Sequence, residues 1–322
     1  MLPIALVLAV LIGAGSAAAQ PAGKVHRIGF LSYDAEPSPM SRRFLEGLRE
    51  LGYTEGRNFV IEYRSADGRS DRLPQLAADL VKARMDVIVT RGTAATIAAR
   101  DATRSVPIVF GSAGVPVEKG IAASLAHPGG NVTGSALHAG LSKTLEVLKQ
   151  AVPGAVQVMH LYDSSAFGPA SFREANLKAT QSHALSLGVK LQSVALVEPQ
   201  GAATIFDKLD RGTDGVVLEN AGLVAAKREQ LCRLAVERRL PAVGRGRLFP
   251  DAGCLASYGE DVGEMYHRAA YFVDRILKGA KPGDLPIERA TKFELVVNRK
   301  TARALGLTIP PELLLRADDV ID

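Results

Sequence analysis

The sequence has no tryptophan, and aromatic residues make up only 5% of its 322 positions. A nucleic-acid-binding surface usually combines a basic stripe with aromatic side chains on which bases stack. The 39 lysines and arginines exceed the 34 aspartates and glutamates by five, but they are spread along the chain rather than gathered in blocks. The composition therefore argues against a nucleic acid as partner.

Catalytic and cofactor-binding motifs are also missing. The segment 32–37 follows the first apolar run with no glycine and two carboxylates, which would repel the phosphates of a dinucleotide. The chain has no Walker loop, no Gly-x-Ser-x-Gly elbow and no His-Glu-x-x-His pair, and its six histidines do not have the spacing of metal ligands. We therefore expect no cofactor, no metal and no catalytic residues. An enzyme built on the same fold is the alternative, because carboxylates and hydroxyls at a cleft can also transfer protons.

The N-terminus predicts export. Residues 1–14 are almost wholly apolar, and small residues follow up to Ala19. This pattern predicts a signal peptide, residues 1–19, that is cleaved after Ala19, although no lysine or arginine precedes the apolar run. The run is shorter than the ~20 residues that span a bilayer, which argues against a membrane anchor. The expected location of the mature protein is the periplasm.

The two cysteines, Cys232 and Cys254, allow two interpretations. In an oxidising compartment they could form a disulfide. Cys232 also lies in a helical pattern with Leu231 and Leu234, where a buried free thiol would fit as a small apolar side chain. The sequence leaves both interpretations open.

Apolar runs alternate with amphipathic segments from residue 27 onward. The segment after the first run has Phe44, Leu45 and Leu48 at helical spacing, and Gly52 stands where a left-handed cap is needed. The predicted strands are 27–32, 58–63, 86–90 and 107–111 in the first half, and 156–162, 190–196, 215–219 and 241–244 in the second. Continuous apolar runs are typical of parallel strands covered on both faces. The sequence therefore predicts an α/β protein with two doubly wound parallel-sheet lobes.

The carboxyl ends of these strands indicate the ligand site, because ligands of open parallel sheets bind in the crevice beyond them. The candidates from the first half are Ser32, Tyr33, Thr90, Gly92, Thr93 and Ser112. Those from the second half are Tyr162, Asp163, Ser164, Ser165, Glu219, Asn220 and Arg245. Each of them could equally be a loop residue that caps the next helix. Two polar sets, one per lobe, predict a shared cleft.

A ligand carboxylate would be bound at helix starts. Backbone amides near Thr93 and Ser165 are the expected donors, since the helix dipole favours negative charge there. Ser112 and Arg245 could add hydrogen bonds to the same carboxylate.

A positively charged or aromatic part of the ligand needs other partners. Glu219 and Asp163 are the candidates for an ammonium group. Tyr33 and Tyr162 could stack on a ring, or be packed tyrosines at the rim. The expected ligand is a small carboxylate such as an amino acid or an aromatic acid.

One segment carries a family resemblance. Residues 127–134 read His-Pro-Gly-Gly-Asn-Val-Thr-Gly, and this segment resembles the signature of the ABC transporter substrate-binding family that includes tryptophan- and tyrosine-binding members. Segments 271–279, 291–298 and 304–307 resemble the C-terminal pattern of that family, and Ser257-Tyr258-Gly259 resembles its second inter-lobe crossing. The similarity runs from about residue 27 to the end.

The resemblance implies the type I periplasmic binding protein fold, with hinge crossings near 136–142, near 258–261 and before Phe293. The lobes would comprise residues 24–138 plus 260–285, and residues 139–259 plus 286–322, with Tyr258 as a further ligand-binding candidate. It also implies delivery of a small-molecule ligand to an ABC transporter permease. We expect a monomer that is not an enzyme. A ligand-sensing partner of a membrane receptor is the alternative role.

The sequence departs from the family pattern at places that bear on the ligand. The family's Asp-Pro-Val after the fourth strand reads Val115-Pro116-Val117, and its Asn-Pro in the second lobe reads Asp163-Ser164. Its Gly-Gly before the crossing reads Gly253-Cys254. The first two changes fall near the mouth of the cleft, so the family's aromatic amino acid ligands do not carry over automatically.

Overall fold

The computed structural model describes residues 24–138, 140–164, 170–197, 201–207, 209 and 212–322. The predicted signal peptide and Ser165 lie outside the described residues. Across these ranges, no helix combines the length and the apolar character that a membrane span requires.

The chain alternates strands with helices along its whole described length. The strands are β1 (His26–Ser32), β2 (Phe59–Ser65), β3 (Val87–Arg91), β4 (Ile108–Gly114), β5 (Val132–Leu137), β6 (Gln157–Asp163), β7 (Lys190–Leu196), β8 (Gly215–Leu218), β9 (Ala242–Gly244), β10 (Ala256–Glu260), β11 (Glu288–Arg289), β12 (Phe293–Asn298) and β13 (Asp319–Ile321). The helices are α1 (Pro39–Glu50), α2 (Leu73–Lys82), α3 (Thr93–Ala102), α4 (Ser142–Ala151), α5 (Ala170–Ser186), α6 (Ala202–Asp207), α7 (Gly222–Ala226), α8 (Arg228–Glu237), α9 (Leu248–Asp251), α10 (Val262–Leu277), α11 (Arg299–Leu305) and α12 (Pro311–Leu315).

These strands form two sheets. The first has the order β11-β5-β4-β3-β1-β2, and the second has the order β13-β12-β10-β9-β8-β6-β7. Neighbouring strands are parallel, except that β10 and β12 are antiparallel. The predicted α/β class with two parallel-sheet lobes is confirmed.

The predicted strands agree with the structure, and the cores of β1, β3, β4, β6 and β8 are the continuous buried runs that are typical of parallel strands. Strand β7 has the predicted bounds, and β4 runs to Gly114 instead of ending at residue 111. Helix α1 ends where expected, and Gly52 follows it with φ of +88°. Short strands at the sheet edges, such as β11 and β13, have too few residues to leave a periodic signal.

The chain changes sheet after β5, after β10 and after β11. Helix α10 returns to the first sheet, where Tyr266 and Phe272 pack with Phe30 and Phe44 in one core cluster. Strand β11 pairs in parallel with β5, so residues 288–289 belong to the first sheet, three residues beyond the lobe boundary expected at 285.

The His-Pro-Gly-Gly-Asn-Val-Thr-Gly segment shapes the entry into β5. The Asn131 amide, 8% exposed, donates hydrogen bonds to the carbonyls of Thr103 and Val106, at 3.3 and 2.7 Å. Gly134 has φ of +144°, and a Cβ there would lie 2.1 Å from the Phe110 carbonyl oxygen. The segment therefore serves the fold, because only glycine permits this approach of two strands.

The cysteines are paired in the structure. Cys232 of α8 and Cys254, which follows α9, form a disulfide in the core of the second lobe, with 0% and 1% of their surfaces exposed. Of the two interpretations that the sequence left open, the disulfide is therefore the one observed.

Candidate functional site

An open cavity of about 920 Å³ lies between the carboxyl ends of the two sheets. Its walls come from both lobes, since the loops after β1, β3 and β4 face Asp163 at the end of β6 and the loops after β8 and β9. The sequence-predicted residues that line it are Tyr33, Gly92, Thr93, Ser112, Asp163, Glu219, Asn220 and Arg245. The structure thus brings these residues of the two predicted sets together around one space.

Five other predicted residues do not line this cavity. Ser32 and Thr90 are fully buried, and the hydroxyls of Thr90 and Thr96 lie 2.8 Å apart. The Tyr162 ring lies 5.4 Å from that of His160, and Tyr258 stacks on Phe293. Ser164 is half-buried outside the cavity lining. Successive side chains of a strand point to opposite faces, so a position at a strand end does not decide orientation.

The first-lobe wall contains the start of α3. Gly92 is its N-cap residue with φ of +83°, and it provides no side chain to cap the first-turn N–H groups. The first turn contains no acidic residue, and Gly92, Thr93 and Ala94 all line the cavity. Unsatisfied N–H groups and the helix dipole make such a terminus attractive to an anion.

Thr93 also holds this terminus against β4. Its hydroxyl accepts a hydrogen bond from the Gly114 N–H at 3.0 Å. We expect Thr93→Val to remove that acceptor at nearly constant volume and to cost ~1 kcal/mol of stability. Urea unfolding measures the loss, and exposed Thr54→Val is the control. Equal stability of wild type and Thr93→Val would show that the hydrogen bond has no net value.

Ser112 is fixed by a buried tyrosine. The Ser112 and Tyr266 hydroxyls lie 3.3 Å apart, and the Tyr266 hydroxyl donates to the Thr90 carbonyl at 3.3 Å. Burial raises the pKa of Tyr266 well above its usual range, so this hydroxyl stays protonated. Ser112 therefore presents a fixed hydroxyl at the cavity wall.

An ion-pair cluster that the sequence did not predict holds the loop after β1. The Arg91 guanidinium lies 3.2 Å from Asp34 Oδ2 and 3.5 Å from Glu36 Oε1. Arg91 and Asp34 line the cavity beside Tyr33. Two carboxylates outweigh one guanidinium, so this corner does not attract an anion.

Asp163 is tied to the second-lobe wall. It is 2% exposed, and its Oδ2 accepts a hydrogen bond from the Leu223 N–H at 2.7 Å. A Cβ on Gly222 would lie 1.9 Å from the same oxygen, so glycine is required there. Asp163 was predicted to bind an ammonium group of the ligand. One of its carboxylate oxygens instead caps the start of α7.

Burial disfavours the ionised form of Glu219. It is 8% exposed at the end of β8 and faces the cavity. Burial raises its pKa, the charge of Arg245 lowers it and the charge of Asp163 raises it, and together they bring the pKa to about 7. Desolvation on this scale disfavours the ionised carboxylate. A cation placed next to Glu219 would relieve that cost.

The Arg245 guanidinium already donates hydrogen bonds to other residues of the protein. Its Nη2 lies 2.6 Å from Glu260 Oε1 and also donates to the His138 carbonyl, while its Nε donates to Glu260 Oε2 at 3.2 Å. The Arg245 and Glu260 side chains are 14% and 3% exposed. The expected use of Arg245 as a donor to a ligand carboxylate therefore competes with a buried ion pair.

Lys119 and Val115, which were not among the predicted site residues, line the cavity from the loop after β4. Burial lowers the pKa of Lys119, and the charge of Asp163 opposes that shift, so this first-lobe ammonium faces a second-lobe carboxylate. Both residues lie beyond the last residue of β4, Gly114, so the sequence signal for them is their place in the loop that follows a strand end.

Val115 occupies a strained conformation at this wall. Its φ of +44° is unusual for a β-branched side chain. We expect Val115→Asn to stabilise the fold by ~1 kcal/mol, because asparagine tolerates the left-handed region. Chemical denaturation measures the gain, and Val117→Asn in the same loop is the control. Equal changes in stability in the two variants would show that the backbone of Val115 is not strained.

No cluster of three or more histidine, cysteine, aspartate or glutamate side chains that could hold a metal ion occurs among the described residues.

Comparison with known proteins gives one family for almost the whole chain. The family model described as ABC transporter substrate binding protein matches residues 25–321. A curated relative, the tyrosine-binding protein of Clostridioides difficile (strain R20291), is 26% identical over 298 residues, which is 88% of this chain and 82% of the relative.

Solved structures with the same fold include two with high TM-scores. A conserved domain protein from Vibrio cholerae is 25% identical with a TM-score of 0.82, and covers 92% of this chain and 100% of its own. An ABC domain in complex with L-Trp from Streptococcus pneumonia is 24% identical with a TM-score of 0.83, at the same coverage of both chains.

Proposed function

Because the chain belongs to the ABC transporter substrate-binding protein family, we propose that it is the extracytoplasmic solute-binding component of an ABC importer. Its fold is that of the type I periplasmic binding proteins, with two parallel-dominated sheets. Such proteins bind a ligand between two lobes that close around it, so contacts from the second lobe complete the site. The ligand would then pass to a membrane permease.

We propose that the ligand is a small zwitterion, an amino acid, and Glu219 is the observation that carries this assignment. Its buried carboxyl faces the cavity, whereas the uncapped start of α3 lies on the first-lobe wall. A carboxylate at α3 and an ammonium at Glu219 would complement both charges. The tyrosine-binding relative and the L-Trp complex support the same class of ligand.

The experiment is a thermal-shift series with matched compounds. L-Tyrosine should stabilise the protein, because a ligand at 100 times its Kd adds ~2.7 kcal/mol. Tyramine lacks the carboxylate and 3-(4-hydroxyphenyl)propionate lacks the ammonium, so each should stabilise less. The other natural amino acids complete the screen. Equal or greater stabilisation by the propionate would refute the ammonium subsite.

We propose binding without chemical transformation. In the described ranges, the cavity-lining acids are engaged in ion pairs or in capping, apart from Glu219, and no nucleophile with an adjacent base is found beside it. Mass spectrometry of ligand recovered after long incubation should show it unchanged. Turnover that depends on Glu219 would instead favour an enzyme.

We propose that the protein works in the periplasm after removal of residues 1–19. The Cys232–Cys254 disulfide supports an oxidising compartment. N-terminal sequencing of the exported protein should begin at Gln20. A mature chain that still begins at Met1 would contradict this cleavage.

A further inference from the structure

Residues from the places where the chain changes sheet meet at one carboxylate, that of Glu260. Glu260 is the last residue of β10, immediately before the chain returns to the first sheet through α10. Its Oε1 accepts a hydrogen bond from the backbone N–H of His138 at 2.8 Å. His138 directly follows β5, where the chain first leaves the first sheet. Glu260 therefore joins the first crossing to the second.

The third crossing reaches the same point through β12. Phe293, the first residue of β12, is the ladder partner of Glu260 across the antiparallel pair. Its ring lies 5.2 Å from the His138 ring and 5.8 Å from the Tyr258 ring, which it stacks upon. A second contact supports this pairing, since Lys292 Nζ lies 3.0 Å from Asp261 Oδ2. All the crossings are therefore in contact around Glu260.

Arg245 connects this junction to the ligand cavity. It lies after β9 in the second sheet, lines the cavity, and binds both oxygens of Glu260 as well as the His138 carbonyl. Burial would raise the pKa of Glu260, but the charge and hydrogen bonds of Arg245, together with backbone hydrogen bonds that include the one from His138, outweigh it and the net pKa is lowered. The carboxylate is therefore ionised, and the pair is a charge-assisted, two-point contact.

We propose that Glu260 is a positioning residue that sets the angle between the two lobes. It holds the crossings and Arg245 in one arrangement, and through Arg245 it links that arrangement to the wall that carries Glu219. Lobe closure requires rotation at the crossings, so the contacts of Glu260 fix which angles are populated. This inference rests on the proposed function, because a defined lobe angle matters only for a protein that binds by closure.

The test measures the lobe angle without ligand. Spin labels are attached to Leu51→Cys in the first lobe and Leu185→Cys in the second, both at exposed positions, while Cys232 and Cys254 stay in their disulfide. Electron paramagnetic resonance then gives the distribution of inter-lobe distances. In this background Glu260→Gln should broaden or shift the distribution relative to the labelled protein with native Glu260.

The matched control is Glu288→Gln, which breaks a two-point arginine pair within the first lobe. Arg268 donates to the two oxygens of Glu288 at 2.9 and 2.8 Å. Because this pair is exposed, the variant should lose little thermal stability, and its inter-lobe distribution should not change. An unchanged distribution in Glu260→Gln, or equal broadening in both variants, would overturn the proposal.

A second variant covers the case in which Glu260→Gln does not fold. Arg245→Met combined with Glu260→Gln removes both charges of the pair, so that neither is left buried and unpaired. It too should broaden the distribution, and an unchanged distribution would overturn the proposal. Adding L-tyrosine to the labelled protein with native Glu260 tests the ligand assignment separately. An absent response there would count against the amino acid and not against the role of Glu260.

Discussion

Glu219→Gln is expected to weaken the binding of L-tyrosine or another amino acid ligand by about 10- to 100-fold, while making the ligand-free protein more stable. A hydrogen bond to a charged group contributes ~1.5–3 kcal/mol, and glutamine offers the ligand ammonium no charge. The gain in stability arises because the ligand-free protein no longer buries an ionisable carboxyl whose pKa has risen to about 7. Calorimetric titration and urea unfolding measure the two effects.

The stability of the ligand-free protein should depend on pH through Glu219. Between the usual carboxyl pKa of 4.5 and about 7, the folded protein holds a proton on Glu219 that the unfolded chain has lost. Stability of the ligand-free wild type therefore falls as pH rises through this window, by about 3 kcal/mol in all. The Glu219→Gln variant should lack that fall.

Ligand binding should show the opposite trend. An ammonium group binds the ionised form of Glu219, so affinity should rise about tenfold between pH 6 and pH 8 and then level off. Affinity of the Glu219→Gln variant should be nearly flat over this range. Asn220→Ala, at the neighbouring position on the cavity wall, is the control that keeps the slope. Equal slopes in wild type and Glu219→Gln would assign the titration to another group.

Loss of the disulfide is expected to have the largest effect on stability. Cys232 and Cys254 are separated by 22 residues, and closing a loop of that length in the unfolded chain corresponds to ~3 kcal/mol. The double variant Cys232→Ser with Cys254→Ser should therefore unfold at clearly lower urea concentration. Amino acid affinity should persist, because neither cysteine lines the cavity.

Reductant provides the control for this prediction. Dithiothreitol should lower the stability of the wild type toward that of the double serine variant, and should leave the variant unchanged. A wild type that is equally stable with and without the cross-link would contradict the expected contribution. A large loss of affinity in the double variant would show that the second-lobe wall depends on the disulfide.

The sequence predicted β1 to β4 and β6 to β9, because most of these strands have buried apolar cores between helices, whereas β10 and β12 were not among the predicted strands. Runs such as Val87-Ile88-Val89 are covered on both faces, so their hydrophobicity is continuous and easily recognised. The two-residue strand β11 has no such run, and its place beside β5 follows from tertiary packing. The change of lobe after it could therefore not be located from sequence to within a few residues.

The candidate site was predictable in position but not in orientation. Strand ends identified the cleft, yet Tyr33 lines the cavity whereas its neighbour Ser32 is buried within the sheet. The sequence also could not reveal which charges are already engaged. Arg245 pairs with Glu260 through contacts between residues 15 apart, and Asp163 caps a helix 60 residues later in the chain. Side-chain direction and competing partners are set by the fold as a whole.

The most direct test of the two-lobe binding account is X-ray scattering of the wild-type protein with and without a saturating ligand from the thermal-shift series. The account predicts a smaller radius of gyration with L-tyrosine or whichever amino acid binds, and a smaller change for Glu219→Gln at equal ligand concentration. A radius of gyration that is the same with and without bound ligand would contradict closure of the lobes and favour a preformed pocket within one lobe.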